Sequence, residues 1–209
     1  MSTRRNNAVP TRKAPPRAWQ RMLSGRRLDL LDPAPVDIEI EDIALGLSRV
    51  ARWNGQTTGQ WPFSVAQHCV LVERLATTFK PGLDRRWRLA ALLHDAPEYV
   101  IGDMISPFKT ALGLDYKDFE HRLMRAIHIR FGLPAELPQW VEKLIKRADR
   151  ASAFIEATRL AGFTDAEAAR FFGRPRGLKG PGVERLLALQ PMPPEEARAT
   201  FLGRFERLR

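Results

Sequence analysis

Two histidines and two aspartates lie where predicted helices turn their apolar faces inward. His68 lies within the apolar stripe of one predicted helix, and His94 directly precedes Asp95 in a second helix that is apolar nearly all round. Because burying a bare carboxylate is very unfavourable, Asp95 needs a partner. Asp149 lies at the edge of the apolar stripe of a third helix. Imidazole nitrogen and carboxylate oxygen suit a divalent ion, so the candidate ligands are His68, His94, Asp95 and Asp149.

Such a site predicts one bound ion, for which Mn, Co, Zn, Fe and Mg are all candidates. An ion with open positions would lower the pKa of water and polarise a phosphoryl oxygen. Glu98 follows His94 by one helical turn, so it could act on that water as a base or an orienting group. Each residue alone also has a structural explanation, since a buried histidine is often a satisfied core residue and Asp149 could pair with neighbouring cations.

The elements that must position these side chains are helical. Apolar residues recur with the helical period, and almost no segment alternates with a period of two. Ser64 with Gln67, and Thr164 with Glu167, form capping boxes that predict helix starts. The sequence therefore predicts an all-α, single-domain helical bundle. Helices are predicted over 18–25, 40–52, 84–100, 115–131 and 138–160. A further helix runs from the first capping box to about Phe79, and a short one follows the second capping box. The C-terminal helices follow a loop at 173–182.

Length, charge and composition bound the remaining possibilities. The chain has 209 residues, a formal net charge of +10 and one cysteine, Cys69, so no internal disulfide can form. No apolar run approaches the length of a membrane span, so we expect no membrane partner. The single cysteine fits a reducing compartment, so we expect a cytoplasmic protein. Residues 1–17 are basic and predict a disordered tail. We expect residues 18–209 to form one domain, with a metal-binding core at about 40–160 and a helical elaboration at 161–209.

The order His, His-Asp, Asp resembles the HD superfamily of metal-dependent phosphohydrolases. Within it, the chain is most similar to the YfbR-type bacterial 5'-deoxynucleotidases, and the resemblance spans roughly Ile43 to Leu160. The stretches that carry it are Arg52-Trp53, Ser64-Val65-Ala66-Gln67-His68, His94-Asp95-Ala96-Pro97-Glu98, Gly102-Asp103, Ser106-Pro107-Phe108-Lys109, Tyr116-Lys117 with Glu120, and Lys146-Arg147-Ala148-Asp149.

The resemblance implies a role for each matching position. The metal ligands would be His68, His94, Asp95 and Asp149. Glu98 and Asp103 would be the catalytic carboxylates, without an assignment of acid and base between them. Arg52 and Trp53 would bind phosphate and sugar, and Lys109 could reach an anionic substrate. The implied reaction converts a nucleoside 5'-monophosphate, preferably a deoxynucleotide, into nucleoside and phosphate.

The sequence also departs from the family pattern, and other functions stay open. Gln67 stands where an acidic residue is expected, and Gln56, Thr57 and Gln60 make the loop after Trp53 more polar than expected. One alternative is another phosphorylated substrate, such as a deoxynucleoside triphosphate or a non-nucleotide phosphate. A second is a non-catalytic binding protein that uses its basic tail on nucleic acid, although nucleic acid is not the expected partner. The resemblance also leaves a homodimer open.

Overall fold

The computed structural model describes residues 18–103, 114–178 and 182–209, and most of these residues are helical. The predicted all-α fold class is therefore confirmed. No described helix is both long enough and apolar enough to cross a membrane. The helices are α1 (Ile40–Arg49), α2 (Val65–Phe79), α3 (Arg85–Leu92), α4 (Glu98–Ile101), α5 (Leu114–Arg130), α6 (Gln139–Arg159), α7 (Asp165–Phe172), α8 (Val183–Leu187) and α9 (Pro194–Leu208).

A small hairpin replaces the short helix predicted over 18–25, so that prediction was wrong. Strands β1 (Trp19–Arg21) and β2 (Arg27–Asp29) pair antiparallel. Gly25 turns the chain between them with φ of 91°, a conformation that glycine adopts without steric cost. The buried Asp42 of α1 accepts hydrogen bonds from the Ser24 backbone and hydroxyl, which fastens the turn to the bundle. These contacts outweigh the local helical propensity.

Helix α2 forms the centre of the bundle and packs against α6, α3 and α9. Its predicted start is confirmed, because the Ser64 hydroxyl accepts from the Gln67 backbone and the Gln67 side chain accepts from the Ser64 backbone. Nearly every residue of its first two turns is buried, including His68 at 0% exposure. The second predicted capping box, Thr164 with Glu167, also starts a helix. The central position of α2 places His68 deep in the core.

The helix predicted over 84–100 is interrupted and forms two helices, α3 and α4. Between them, Ala96 donates to the Leu93 carbonyl and Glu98 to the Asp95 carbonyl, so tight three-residue turns replace the α-helical bonding. Pro97 has no N–H and disfavours α-helical geometry at the preceding residue, which explains the interruption. His94 and Asp95 consequently lie on a turn, and Glu98 begins a new helix.

Helices α1 and α4 approach each other closely because Gly46 has no side chain. A Cβ atom built on Gly46 would lie 2.7 Å from the Tyr99 Cβ and 2.9 Å from the Tyr99 Cα and backbone oxygen. These atoms cannot rotate away, so a larger residue would have to displace the backbone of α4. Since Glu98 precedes Tyr99 in α4, this contact also bears on the candidate site.

We therefore expect Gly46→Ala to destabilise the protein by about 1–3 kcal/mol, although alanine favours helices. Gly203→Ala is the matched control, because a Cβ at this α9 position meets nothing within 4 Å. It should be neutral or stabilise by up to about 1 kcal/mol through helix propensity. Thermal unfolding would measure both, since each kcal/mol shifts Tm by about 2–4 °C at this size. Equal effects of the two variants would contradict the close contact.

Candidate metal centre

The four candidate ligands meet although three separate segments carry them. His68 lies on α2, His94 and Asp95 on the turn after α3, and Asp149 on α6. The Nε2 atoms of His68 and His94 lie 3.2 Å apart. His68 Nε2 also lies 3.3 Å from Asp149 Oδ1 and 3.3 Å from Asp95 Oδ2. His94 Nε2 lies 3.2 Å from the same Asp95 oxygen. All four side chains therefore surround one small volume.

This arrangement has the donor set and spacing of a metal site. Ligand atoms of His68, His94 and Asp149 all lie within 4.8 Å of one another, so the cluster could bind a metal ion. Two imidazole nitrogens that each bind an ion at about 2.1 Å can lie 3.2 Å apart, as these do. The Asp95 carboxylate contacts both imidazoles, and its role as a ligand stays a prediction. Three of the four predicted ligands thus form the cluster directly.

A buried carboxylate orients His68. The Nδ1 atom of His68 lies 2.6 Å from Glu156 Oε1, and both side chains are fully buried. The Ser152 hydroxyl donates to the same Glu156 oxygen at 2.6 Å. When the nitrogen of a histidine that faces away from a metal donates to a carboxylate, the tautomer and the ring orientation are fixed. Glu156 therefore directs His68 Nε2 toward the cluster.

His94 is held in the same way by the backbone. Its Nδ1 atom lies 3.0 Å from the Ala91 carbonyl oxygen, which can only accept. A proton on Nδ1 leaves Nε2 as the unprotonated nitrogen in the neutral ring. Because His68 is also tethered at Nδ1, the two neutral rings would present lone pairs to each other. A proton or a metal cation between the two nitrogens would remove this repulsion.

The carboxylates around the cluster stabilise positive charge on its imidazoles. Burial opposes ionisation of Asp95, but the neighbouring His94 and His68 hold the pKa of this carboxyl well below its usual range. Burial likewise disfavours a charged His94, yet Asp95 raises its pKa to about 10. For Glu156, burial is outweighed by His68 and Arg52, which lower its pKa. The surroundings that favour a proton on these imidazoles also favour a divalent cation.

Arg52 and Trp53, the predicted substrate-binding residues, converge on Glu156. The Trp53 indole N–H donates to Glu156 Oε2 at 2.9 Å, and Arg52 Nε lies 3.4 Å from the same oxygen. Arg52 Nη1 also lies 3.2 Å from Asp103 Oδ1. Burial opposes the charge of Arg52, but Glu156, Asp103 and Asp95 raise its pKa above the ordinary value. In this structure both side chains contact Glu156, which in turn contacts His68.

The backbone at Trp53 has a left-handed conformation. Trp53 has φ of 58° and ψ of 28°, and Asn54 has φ of 51° and ψ of 32°. Such geometry costs about 1–3 kcal/mol at a non-glycine residue and persists only where its surroundings impose it. The Glu156 hydrogen bond and ring contacts with Phe163 and Phe172, each 5.7 Å between centroids, are those surroundings. The conformation therefore depends on the same carboxylate that orients His68.

The two predicted catalytic carboxylates lie near the cluster, on the segment that follows it. Glu98 is 2% exposed at the start of α4. Asp103, whose side chain is 8% exposed, contacts Arg52. The charges of both carboxylates, together with Asp95, act on Arg52. Lys109, the third predicted substrate-binding residue, lies outside the described residues.

A pocket of about 380 Å³ opens beside the cluster. His94 and Asp149 line this pocket, and the Asp149 side chain is 41% exposed. The cluster is therefore closed on the His68 side and accessible on the Asp149 side. The cavity is also lined by His121, Arg125 and His128 from α5 and by Glu136, Glu142 and Lys146.

Sequence reasoning missed Ser152 and Glu156, which lie on α6 after Asp149. Their spacing of three and four residues places all three on one face of the helix, and this pattern was visible in the sequence. The departure at Gln67 has a structural explanation. Besides its capping bonds, its amide donates to the Gln190 carbonyl, so the residue holds the segment before α9.

No family model matches the chain. The uncharacterized protein RCAP_rcc00048 of Rhodobacter capsulatus is 60% identical over 188 residues, which cover 90% of this chain and 94% of that protein. The uncharacterized protein YfdR of Escherichia coli is 37% identical over 98 residues, which cover 47% of this chain and 49% of YfdR. The chain thus spans about half the length of YfdR. On the extent of the first match, the chain belongs to the same protein family as RCAP_rcc00048.

Proposed function

We propose that the protein is a metal-dependent phosphohydrolase of the HD superfamily that releases phosphate from nucleoside 5'-monophosphates. The observation that carries the proposal is the convergence of His68, His94 and Asp149, two of which, His94 and Asp149, line an accessible pocket. The order His, His-Asp, Asp and the nearby carboxylates add to it. The names of the two relatives assign no activity, so the proposal rests on this site.

Each residue has a defined task in the proposed reaction. His68, His94 and Asp149, with Asp95, would hold one divalent ion. When bound, such an ion lowers the pKa of water and polarises a phosphoryl oxygen. Glu98 and Asp103 would divide the proton transfers between them. One takes the proton of the attacking water, whose oxygen forms the new bond to phosphorus. The other protonates the 5'-oxygen as its bond to phosphorus breaks.

The size of the pocket favours a small substrate. Its volume of about 380 Å³ lies near the lower end of the roughly 300–1,000 Å³ of small-molecule sites. Arg125 and Lys146 on its wall are exposed cations that suit an anionic ligand. Arg125 already pairs with Glu136 at 3.3 Å, which leaves Lys146 the better placed of the two for a phosphate. A mononucleotide satisfies the size of this cavity. Because Glu136, Glu142 and Asp149 also line it, the proposed metal ion would supply the positive charge that a phosphate needs.

The direct test is phosphate release from a panel of ribo- and deoxynucleoside 5'-monophosphates, with a deoxynucleoside triphosphate and a non-nucleotide phosphate beside them. Metal-stripped protein is reloaded with Mn, Co, Zn, Mg or Fe(II). We expect metal-dependent release from monophosphates, lost in Asp149→Ala and retained in Asp118→Ala, which removes an exposed carboxylate of α5. Release only from the triphosphate or from the non-nucleotide phosphate would replace the nucleoside monophosphate as the proposed substrate. No release from metal-loaded protein would refute the proposed hydrolase activity.

Asp95→Ala should abolish metal retention while most helicity remains, because the carboxylate contacts both imidazoles at the turn after α3. Bound metal would be measured by atomic emission after dialysis, and helicity by circular dichroism. A variant that keeps the full metal content would show that Asp95 is not a ligand.

Glu156→Gln should weaken metal affinity by about 10- to 100-fold, since the amide keeps the shape of the side chain but loses the charge that orients His68. Competitive titration with a chelating dye would measure the affinity. Glu196→Gln, an exposed change in α9, is the control and should bind as tightly as the wild type. Thermal unfolding of both variants separates loss of the fold from loss of orientation, and unchanged affinity in folded Glu156→Gln would contradict the assigned role.

Glu98→Gln should retain the metal and lose turnover by about 10²- to 10⁴-fold, the usual contribution of a positioned general acid or base. The side chain is buried, so an amide of equal size is the least disruptive change. Metal content and the rate of phosphate release are measured on the same preparation. Undiminished turnover would remove Glu98 from the mechanism.

A further inference from the structure

A second cavity, of about 410 Å³, lies on another face of α6 and is strongly basic. We call it the basic groove. Its apolar floor includes Phe79, Ala151 and Phe172, and none of the described residues that line it is acidic. Its cationic residues are Lys143, Lys146, Arg147, Arg150, Arg174 and Arg176.

Most of these cations are available to a ligand. All six are exposed, and within the described part of the chain Lys143, Lys146 and Arg150 form no ion pair with a carboxylate. Arg174 has only a loose contact with Asp165, at 3.6 Å between two exposed side chains. Such an exposed ion pair contributes little free energy, so it does not prevent Arg174 from binding a ligand. Concentrated like charges repel one another, so an anion with several charges is the ligand that this groove favours.

Arg147 gives the groove a fixed shape. Its Nη2 atom donates to the Arg176 backbone oxygen at 2.8 Å, which fastens the segment after α7 to α6. Its guanidinium lies 4.0 Å from the centroid of the Phe79 ring. The two cationic walls of the groove are thereby held opposite each other before any ligand binds. A preformed site loses less conformational entropy on binding.

An exposed aromatic side chain lies next to the cations. Phe171 is 64% exposed and its ring contacts Phe172, which lines the groove, at 6.3 Å between centroids. Cations along a groove with an adjacent aromatic surface are the combination that binds single-stranded nucleic acids, because phosphates take the cations and bases stack on the ring. Polyphosphate and lipid headgroups contain no ring that would stack on Phe171. The aromatic surface thus favours one class of polyanion.

We propose that the basic groove binds single-stranded nucleic acid, with phosphodiesters against its cations and a base stacked on Phe171. The proposed metal ligands do not line the groove, and the inference does not rest on the proposed phosphohydrolase. Lys146 lines both this groove and the pocket at the metal cluster, so the two cavities adjoin. The sequence suggested only residues 1–17 as a nucleic-acid contact, whereas this groove belongs to the folded body.

The test measures binding of a fluorescent twelve-residue oligothymidylate by full-length protein, using anisotropy at several salt concentrations. The triple variant Lys143→Gln, Arg174→Gln, Arg176→Gln leaves the metal ligands and Lys146 intact. We expect at least 10-fold weaker binding at low salt and a salt slope shallower by about 2, from about 0.7 per lost phosphate contact. The charge-matched control Arg49→Gln, Arg122→Gln, Arg207→Gln removes three exposed arginines that do not line the groove. It should change affinity by less than about 2-fold.

Phe171→Ala tests the stacking and should weaken binding by about 5- to 100-fold. Ile129→Ala, which truncates another exposed apolar residue, should leave binding unchanged. Thermal unfolding shows that each variant remains folded. The proposal is overturned if the wild type does not bind the oligonucleotide. It is also overturned if the two triple variants bind equally, which is the result that contact through residues 1–17 would give. Tighter binding of inorganic polyphosphate or of anionic phosphatidylglycerol vesicles than of the oligonucleotide overturns it as well.

Discussion

The buried contact between Glu156 and His68 is the interaction on which the rest of the site depends. Both side chains are fully buried, and their atoms lie 2.6 Å apart. A buried carboxylate is tolerated only when its oxygens are satisfied, and here Ser152, Trp53 and Arg52 supply the remaining contacts. One negative charge in the core therefore orients a candidate ligand and fixes the loop that carries Trp53. Removing that charge would disturb several groups together.

The second constraint is the interruption between α3 and α4. If residues 84–100 formed one continuous helix, His94 and Asp95 would point in directions about 100° apart. The turn that precedes Pro97 instead lets both side chains reach His68. The close contact of Gly46 with Tyr99 then holds α4 against α1, which keeps Glu98 buried near the cluster. Fold and candidate chemistry thus depend on the same few backbone positions.

Local sequence signals predicted a good part of this architecture. The capping boxes at Ser64 and Thr164 predicted helix starts because they satisfy backbone N–H groups locally. The histidines and aspartates of the cluster were identifiable because polar groups in apolar helices need partners. The hairpin at Trp19–Asp29 was missed because its stability comes from Asp42, which is distant in sequence.

Other features depend on tertiary contacts that no local pattern contains. Pro97 was compatible with a kinked helix, and only packing decides that the chain breaks there. The polar face of Asp149, Ser152 and Glu156 was visible, but its direction toward His68 was not. The basic groove forms because the segment after α7 returns to α6, where Arg147 holds it. Composition places half of the net charge of +10 in residues 1–17, but it does not show where the cations of the remaining chain come together.

In the proposed metal centre, His68, His94 and Asp149 hold one divalent ion. Crystals of the full-length protein loaded with Mn or Co, measured on either side of the absorption edge of that metal, would locate such an ion. We expect one strong anomalous peak between the Nε2 atoms of His68 and His94, within bonding distance of Asp149. A loaded crystal with no peak there, or with its only peak elsewhere, would contradict the metal centre and the function proposed from it.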